Sequence, residues 1–172
     1  MSNEHLSRLR FNFGFLIEAP IGTSRLIELD YPSVDVGGDV LLSPLTGNFT
    51  ATRTSEGVYL HGKLHSITLT ECVRCLGAAE QPVTAVLDDL LFSPPETAPE
   101  GELSIDKEGA VDLAPLIREL SLLGIPINTI CHPDCAGLCM TCGQNLNEGD
   151  CDCEEHPVNP RMAVLQQLLD DK

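Results

Sequence analysis

Eight cysteines carry most of the chemistry that the 172-residue chain can do: Cys72, Cys75, Cys131, Cys135, Cys139, Cys142, Cys151 and Cys153. They are spaced as a Cys-x2-Cys pair, then far downstream as Cys-x3-Cys-x3-Cys-x2-Cys-x8-Cys-x-Cys. Thiolates are soft donors, and four of them in a tetrahedron suit zinc, with Zn–S bonds of about 2.3 Å. Cys139-Met-Thr-Cys142-Gly143 has the form of a zinc knuckle. The two-residue spacer lets both sulfurs face one ion, and the glycine can take positive φ and turn backbone amides towards them. A lone Cys-x2-Cys says little, but two of them with a Cys-x3-Cys and a Cys-x-Cys argue for metal. The expected cofactor is Zn(2+), one or two ions per chain. Cys139, Cys142, Cys151 and Cys153 enclose a short loop and form one ligand set. Cys72, Cys75, Cys131 and Cys135 form the other, tying the first half of the chain to its tail. A single zinc with the remaining thiols free or redox-active fits the spacing equally well.

Disulfides are the competing use of an even cysteine count, and compartment decides between them. The N-terminal run Phe11 to Ile17 is interrupted by Asn12 and Gly14 and leads into Glu18-Ala19-Pro20 rather than a small-residue cleavage site. No stretch reaches the ~18 apolar residues of a membrane span. The expectation is a soluble cytoplasmic chain with reduced thiols and no membrane partner. Cys72-Val-Arg-Cys75 also lacks the βαβ surroundings of a thioredoxin-like motif.

The charge balance is 10 − 26 = −16 at neutral pH, and aromatic residues amount to five Phe and two Tyr without Trp. Gripping nucleic-acid phosphates over a broad surface needs clustered Lys and Arg, and base stacking needs aromatics; both are sparse. Each zinc held by four thiolates would add −2. Such an acidic protein attracts Lys/Arg-rich proteins, so any contact with nucleic acid is expected to be indirect, through a basic partner.

The elements that must position the cysteines follow from periodicity. Ile27, Leu29 and Tyr31 alternate with Glu28 and Asp30 as in a half-buried strand. Gly37-Gly38 and Ser43-Pro44 mark turns. Val58 to Thr70 reads as a second strand in which Leu60 and Leu64 share one phase while Ile67 and Leu69 take the other. That switch predicts a β-bulge near His65-Ser66. Residues 82–92 fit a helical stripe but read better as a strand. Ser93 to Gly101, rich in Pro and Glu, reads as a loop. A helix follows, with Asp112 as N-cap, Pro115 in its first turn and a stripe of Leu113, Leu116, Ile117, Leu120 and Leu123. Gly124 and Pro126 end it. Asn159-Pro160 opens a second helix with Met162, Leu165, Leu168 and Leu169 on one face.

The expected fold class is α+β: an antiparallel β-rich body, barrel-like or a curled sheet, with two helices and a cysteine-rich zinc-binding C-terminal segment. Residues 1–110 form the body carrying the first Cys-x2-Cys. Residues 111–172 add the helix, the zinc module and the C-terminal helix, packed as one domain with the body.

The strings CVRCLG (72–77), VDLAPLIRELSLLGIPI (111–127) and CHPDCAGLCMTCGQNLNEGDCDCEEHPVNPRMAVLQQLL (131–169) resemble the YceD family of bacterial and plastid large ribosomal RNA subunit accumulation proteins. The resemblance covers the C-terminal hundred residues; the first seventy match only in strand-rich character. It implies ribosome biogenesis: accumulation or processing of 23S rRNA and large-subunit assembly, through a basic ribosomal protein or a large-subunit precursor. It implies no catalytic residue and no enzyme activity. Many members keep only the first Cys-x2-Cys, which implies that the C-terminal cluster is a structural option rather than a universal catalytic device. A zinc-ribbon adaptor in transcription or another assembly, and a thiol–disulfide enzyme, are the competing classes.

Other titratable groups read as surface. His132 and His156 flank the cluster as solvated loop residues; His61 and His65 share one strand face with Lys63. Asp88-Asp89 and Asp170-Asp171 lack the partners of a two-metal nuclease. Arg74, on the first knuckle, is either solvated or an RNA contact, and Arg161 reads as structural.

Overall fold

Strands dominate the computed structural model, which describes residues 8–38 and 40–153. β1 (Arg10–Asn12) leads into the short helix α1 (Gly14–Ile17), followed by β2 (Ser24–Tyr31), β3 (Val34–Asp35), β4 (Leu41–Leu42), β5 (Leu45–Arg53), β6 (Gly57–Glu71) and β7 (Ala78–Phe92). A 3₁₀ turn (Pro95–Thr97) lies in the Pro/Glu-rich loop, and β8 (Ala110–Asp112) precedes α2 (Ala114–Leu123). The main sheet is fully antiparallel in the order β2-β5-β6-β7, with β1-β8 and β3-β4 as two-stranded ribbons. The fold class is therefore α+β, with an antiparallel β-rich body, two helices and a cysteine-rich C-terminal segment. The expected helix from Asn159 lies outside the described residues.

One face of the sheet carries most of its apolar side chains in alternation and closes over the core. Leu29, Leu45, Phe49, Leu60, Leu64, Leu87 and Leu91 pack there with Phe13 and Leu16 from the N-terminal segment and Leu113 and Ile117 at α2. Phe11 meets Phe49 edge-on at 5.7 Å between ring centroids. Gly62 is required where β6 pairs with Phe49 of β5, since a Cβ there would lie 2.4 Å from the Phe49 Cα.

β6 corrects one sequence expectation. Its pairing with β7 runs unbroken from Gly57↔Phe92 to Glu71↔Ala78, so there is no bulge near His65-Ser66. The strand keeps one phase and the side chains swap character instead. Ser66 and Thr68 are buried, while Ile67 is 39% and Leu69 67% exposed. Two long ladders hold the register, and their hydrogen bonds outweigh the gain from turning two apolar side chains inward. Residues 82–92 are a strand, with Val83, Ala85, Leu87 and Leu91 inward.

α2 also departs from its expected stripe at the end. Leu116 and Ile117 are buried, but Leu123, at the stripe's edge in the last turn, is 76% exposed. Leu113 occupies the N-cap position, one residue after the expected one, yet the Asp112 carboxylate still accepts the Ala114 amide at 2.9 Å. Helix α2 lies against β7, and the chain leaving it returns to the β6–β7 turn.

Candidate metal centre

The eight sulfurs gather into two sets of four: Cys72, Cys75, Cys131 and Cys135, and Cys139, Cys142, Cys151 and Cys153. Within each set the sulfurs lie within 4.8 Å of one another. In the first, Cys72 Sγ is 3.9 Å from Cys135 Sγ, and Cys75 Sγ is 3.7 Å from Cys131 Sγ. These are far beyond a covalent S–S bond of about 2.05 Å. They match the edge of a tetrahedron with 2.3 Å metal–sulfur bonds, about 3.8 Å. Both sets thus fit a zinc ion in donor type, number and separation, and offer it no harder ligand.

The β6–β7 hairpin positions the first pair. Its last rung, Glu71↔Ala78, runs into a turn in which the Cys72 amide donates to Gly77 O at 2.8 Å and the Leu76 amide to Cys72 O at 2.9 Å. The Arg74 amide points at Cys72 Sγ, 3.4 Å away. The second Cys-x2-Cys repeats this arrangement. The Cys139 amide donates to Gln144 O at 2.8 Å, the Gly143 amide to Cys139 O at 2.9 Å, and the Thr141 amide reaches Cys139 Sγ at 3.4 Å. It too caps an antiparallel ribbon, through the bridge Leu138↔Asn145 and the bond from Leu146 N to Gly137 O. The two knuckles are copies of one loop.

Backbone amides set the electrostatics of each leading cysteine. The Cys75 amide, with lesser help from other amides, holds the Cys72 thiol down to about 6; the Cys142 and Thr141 amides do the same for Cys139. Burial pushes Cys131 up to about 12, and the hydrogen bond that the Cys153 thiol donates to Cys142 pushes Cys153 to about 12. Each set therefore pairs an easily ionised thiol with a reluctant one, and a cation must displace the proton from the latter.

Cys131 and Cys135 arrive from the segment after α2. It is fastened to the first knuckle by the Val73 amide, which donates to Thr129 O at 2.9 Å, and by Arg74, whose Nη1 donates to Cys135 O at 3.0 Å. Arg74 is thus a strut between the halves of the site. Asn147 joins the two centres: its Nδ2 reaches Cys135 Sγ at 3.4 Å and its Oδ1 accepts the Ala136 amide at 2.8 Å. Gln144 Nε2 donates to Gly149 O and Asp150 O, holding the return of the chain towards Cys151. Sequence spacing finds the cysteines but not Asn147, Gln144 or the Arg74 strut, since amides and loop arginines carry no periodic signal.

His132 is exposed. His61 faces Asp88 at 3.7 Å and His65 meets Thr84 Oγ1 at 3.1 Å, both on the outer sheet face. Asp88 also accepts the Tyr59 hydroxyl. His156, Arg161, Asp170 and Asp171 lie outside the described residues. No helix among the described residues is long and apolar enough to cross a membrane.

Residues 60–169 match the family model described as large ribosomal RNA subunit accumulation protein YceD, a span that holds all but the first three residues of β6, with β7, α2 and all eight cysteines. An uncharacterised protein of Mycobacterium tuberculosis is 34% identical over 119 residues, 67% of this chain and 57% of the relative. A Zea mays protein named large ribosomal RNA subunit accumulation protein YCED homolog 1, chloroplastic, is 25% identical over 158 residues, 73% of this chain and 54% of the relative. Its Arabidopsis thaliana namesake is 41% identical over 81 residues, 47% of this chain and 22% of the relative. The chain spans little more than half the length of the first two. No solved structure matches it.

Proposed function

The chain belongs to the YceD family of large ribosomal RNA subunit accumulation proteins, and on that premise we propose that it is a non-enzymatic assembly factor for the large ribosomal subunit. It supports accumulation of 23S rRNA by binding a basic ribosomal protein or a large-subunit precursor, in the cytoplasm where subunits assemble. Contact with rRNA is through the basic partner.

The observation that carries this reading is the placement of both four-thiolate centres inside the region of family likeness, each tying backbone segments together. Zinc held by four thiolates is coordinatively closed, which suits a structural ion; catalytic zinc keeps a position for water. With two such ions the charge moves from −16 to −16 + 2 × (−2) = −20, a surface that favours cationic polypeptide over phosphate. The plant namesakes support the rRNA assignment through their names alone.

The test is the ratio of mature 23S to 16S rRNA in cells depleted of the protein. A selective fall in 23S, restored by the wild-type gene, supports the proposal. An unchanged ratio overturns it and moves a zinc-ribbon adaptor to the front.

A further inference from the structure

The end of the sheet at the first knuckle combines three features that packing does not explain. Leu76 has φ +58°, the one non-glycine residue at positive φ among the described residues, and its side chain is 59% exposed. The matching position of the second knuckle is Gly143, at φ +76°. The loop therefore works with glycine, yet here it carries a leucine in a conformation that any Cβ disfavours. That strain is not compensated by burial.

Next to it the β6 alternation is inverted. Ile67 and Leu69 face outward on the last rungs before the knuckle, with Ser66 and Thr68 inward. Val73, on the knuckle itself, is 53% exposed. One hairpin end thus presents Leu69, Val73 and Leu76 to solvent.

The third feature is charge. Exposed Glu80 is directly opposite Leu69 in the ladder, and exposed Glu71 follows two residues after Leu69 on the same face. Residues 64–82 and 127–153 contain six acids (Glu71, Glu80, Asp134, Glu148, Asp150, Asp152) against one Lys or Arg, Arg74. Arg74 is already committed to the Cys135 carbonyl.

We infer that this hairpin end, with Leu69, Val73 and Leu76 as anchors and Glu71 and Glu80 beside them, is the docking surface for a Lys/Arg-rich polypeptide segment carrying apolar side chains. Charge complementarity selects the occupant: the acids repel nucleic-acid phosphate and anionic lipid, and attract a basic chain. Apolar anchors at the centre of a charged rim give such a contact its affinity, while the rim sets approach and register. The inference rests on the assembly-factor reading and names the surface that reading requires.

The experiment uses the zinc-loaded full chain and, as probe, a fluorescent amphipathic peptide of Lys and Leu, with a Lys/Ser peptide as control. Wild type is expected to bind the Lys/Leu peptide at least about tenfold tighter than Leu69→Ser or Leu76→Gly does. The Lys/Ser peptide is expected to bind weakly and without regard to either substitution. Leu76→Gly melts no lower than wild type, because glycine suits its φ, so lost binding in that variant is not lost folding. Equal binding by wild type and both variants overturns the docking surface. So does a Leu76→Gly variant that restores 23S rRNA in depleted cells as fully as wild type does. A 23S ratio indifferent to depletion overturns the assembly-factor reading instead, and the peptide titration then decides the surface alone.

Discussion

Leu76 and Gly143 hold the same position in two copies of one loop, each donating its amide to the carbonyl of the knuckle's leading cysteine at 2.9 Å. Both take positive φ, +58° and +76°, but only the glycine does so without a steric cost. The first knuckle is carried by a fifteen-residue strand pair that fixes the turn from outside. The second closes a far shorter ribbon, made of the bridge Leu138↔Asn145 and the bond from Leu146 N to Gly137 O.

That asymmetry predicts opposite outcomes for reciprocal substitutions. Leu76→Gly should leave the melting temperature unchanged or slightly raised, since the relief of strain is offset in part by glycine's freedom in the unfolded chain. Gly143→Leu should weaken the second centre by about 1–2 kcal/mol, five- to thirtyfold in zinc affinity by chelator competition. Equal effects at the two positions would refute the equivalence of the loops.

Arg74 offers a second check. As a strut to the Cys135 carbonyl it contributes about 1 kcal/mol, so Arg74→Ala should loosen zinc at the first centre about fivefold and leave the second unaffected. Metal affinity identical to wild type would return Arg74 to the role of a free surface charge.

The phase of β6 can be tested by urea unfolding. Ile67→Ser removes an exposed side chain and should cost no more than about 0.5 kcal/mol, whereas Leu64→Ala, at a site 1% exposed, should cost about 2–5 kcal/mol. A bulge that turned Ile67 inward would make the two comparable.

Why the sequence misleads at Ile67 is physical. Alternation reports burial only when each face has a single environment, and the outer face here becomes apolar at one end. The pattern therefore predicted a change of backbone where there is a change of surface. Strands β2, β6 and β7 and helix α2 are legible because each sends residues into the core at its own period: Leu29, then Leu60 and Leu64, then Val83, Ala85, Leu87 and Leu91, then Leu116 and Ile117. The grouping of the cysteines was legible too, since near neighbours in sequence fill the second centre. The short helix α1, the ribbon β1–β8 and the Asn147 link were not, because a few residues in tertiary contact leave no period. Periodicity puts Leu123 in the α2 stripe because it does not show where the neighbouring strand ends.

The two centres should differ in what they stabilise. The first joins a hairpin to a segment far along the chain, with Cys72 and Cys135 separated by 63 positions, and Cys72 is fully buried. A metal clip across so long a loop removes considerable closure entropy from the unfolded chain. The second centre draws all four cysteines from residues 139–153, and Cys142 is exposed, so an ion held there would order only a local loop. Native mass spectrometry of the full chain should therefore find two zinc ions, and one in either Cys75→Ser or Cys142→Ser. Cys75→Ser leaves three thiolates without a closed coordination shell beneath the β6–β7 turn and should lower the melting temperature of the β-rich body by many degrees. Cys142→Ser should leave that transition nearly in place while hydrogen exchange rises across residues 137–153. Equal losses of melting temperature would mean that the second centre also braces the body, and zinc-free protein purified under reducing conditions would remove the metal reading from both.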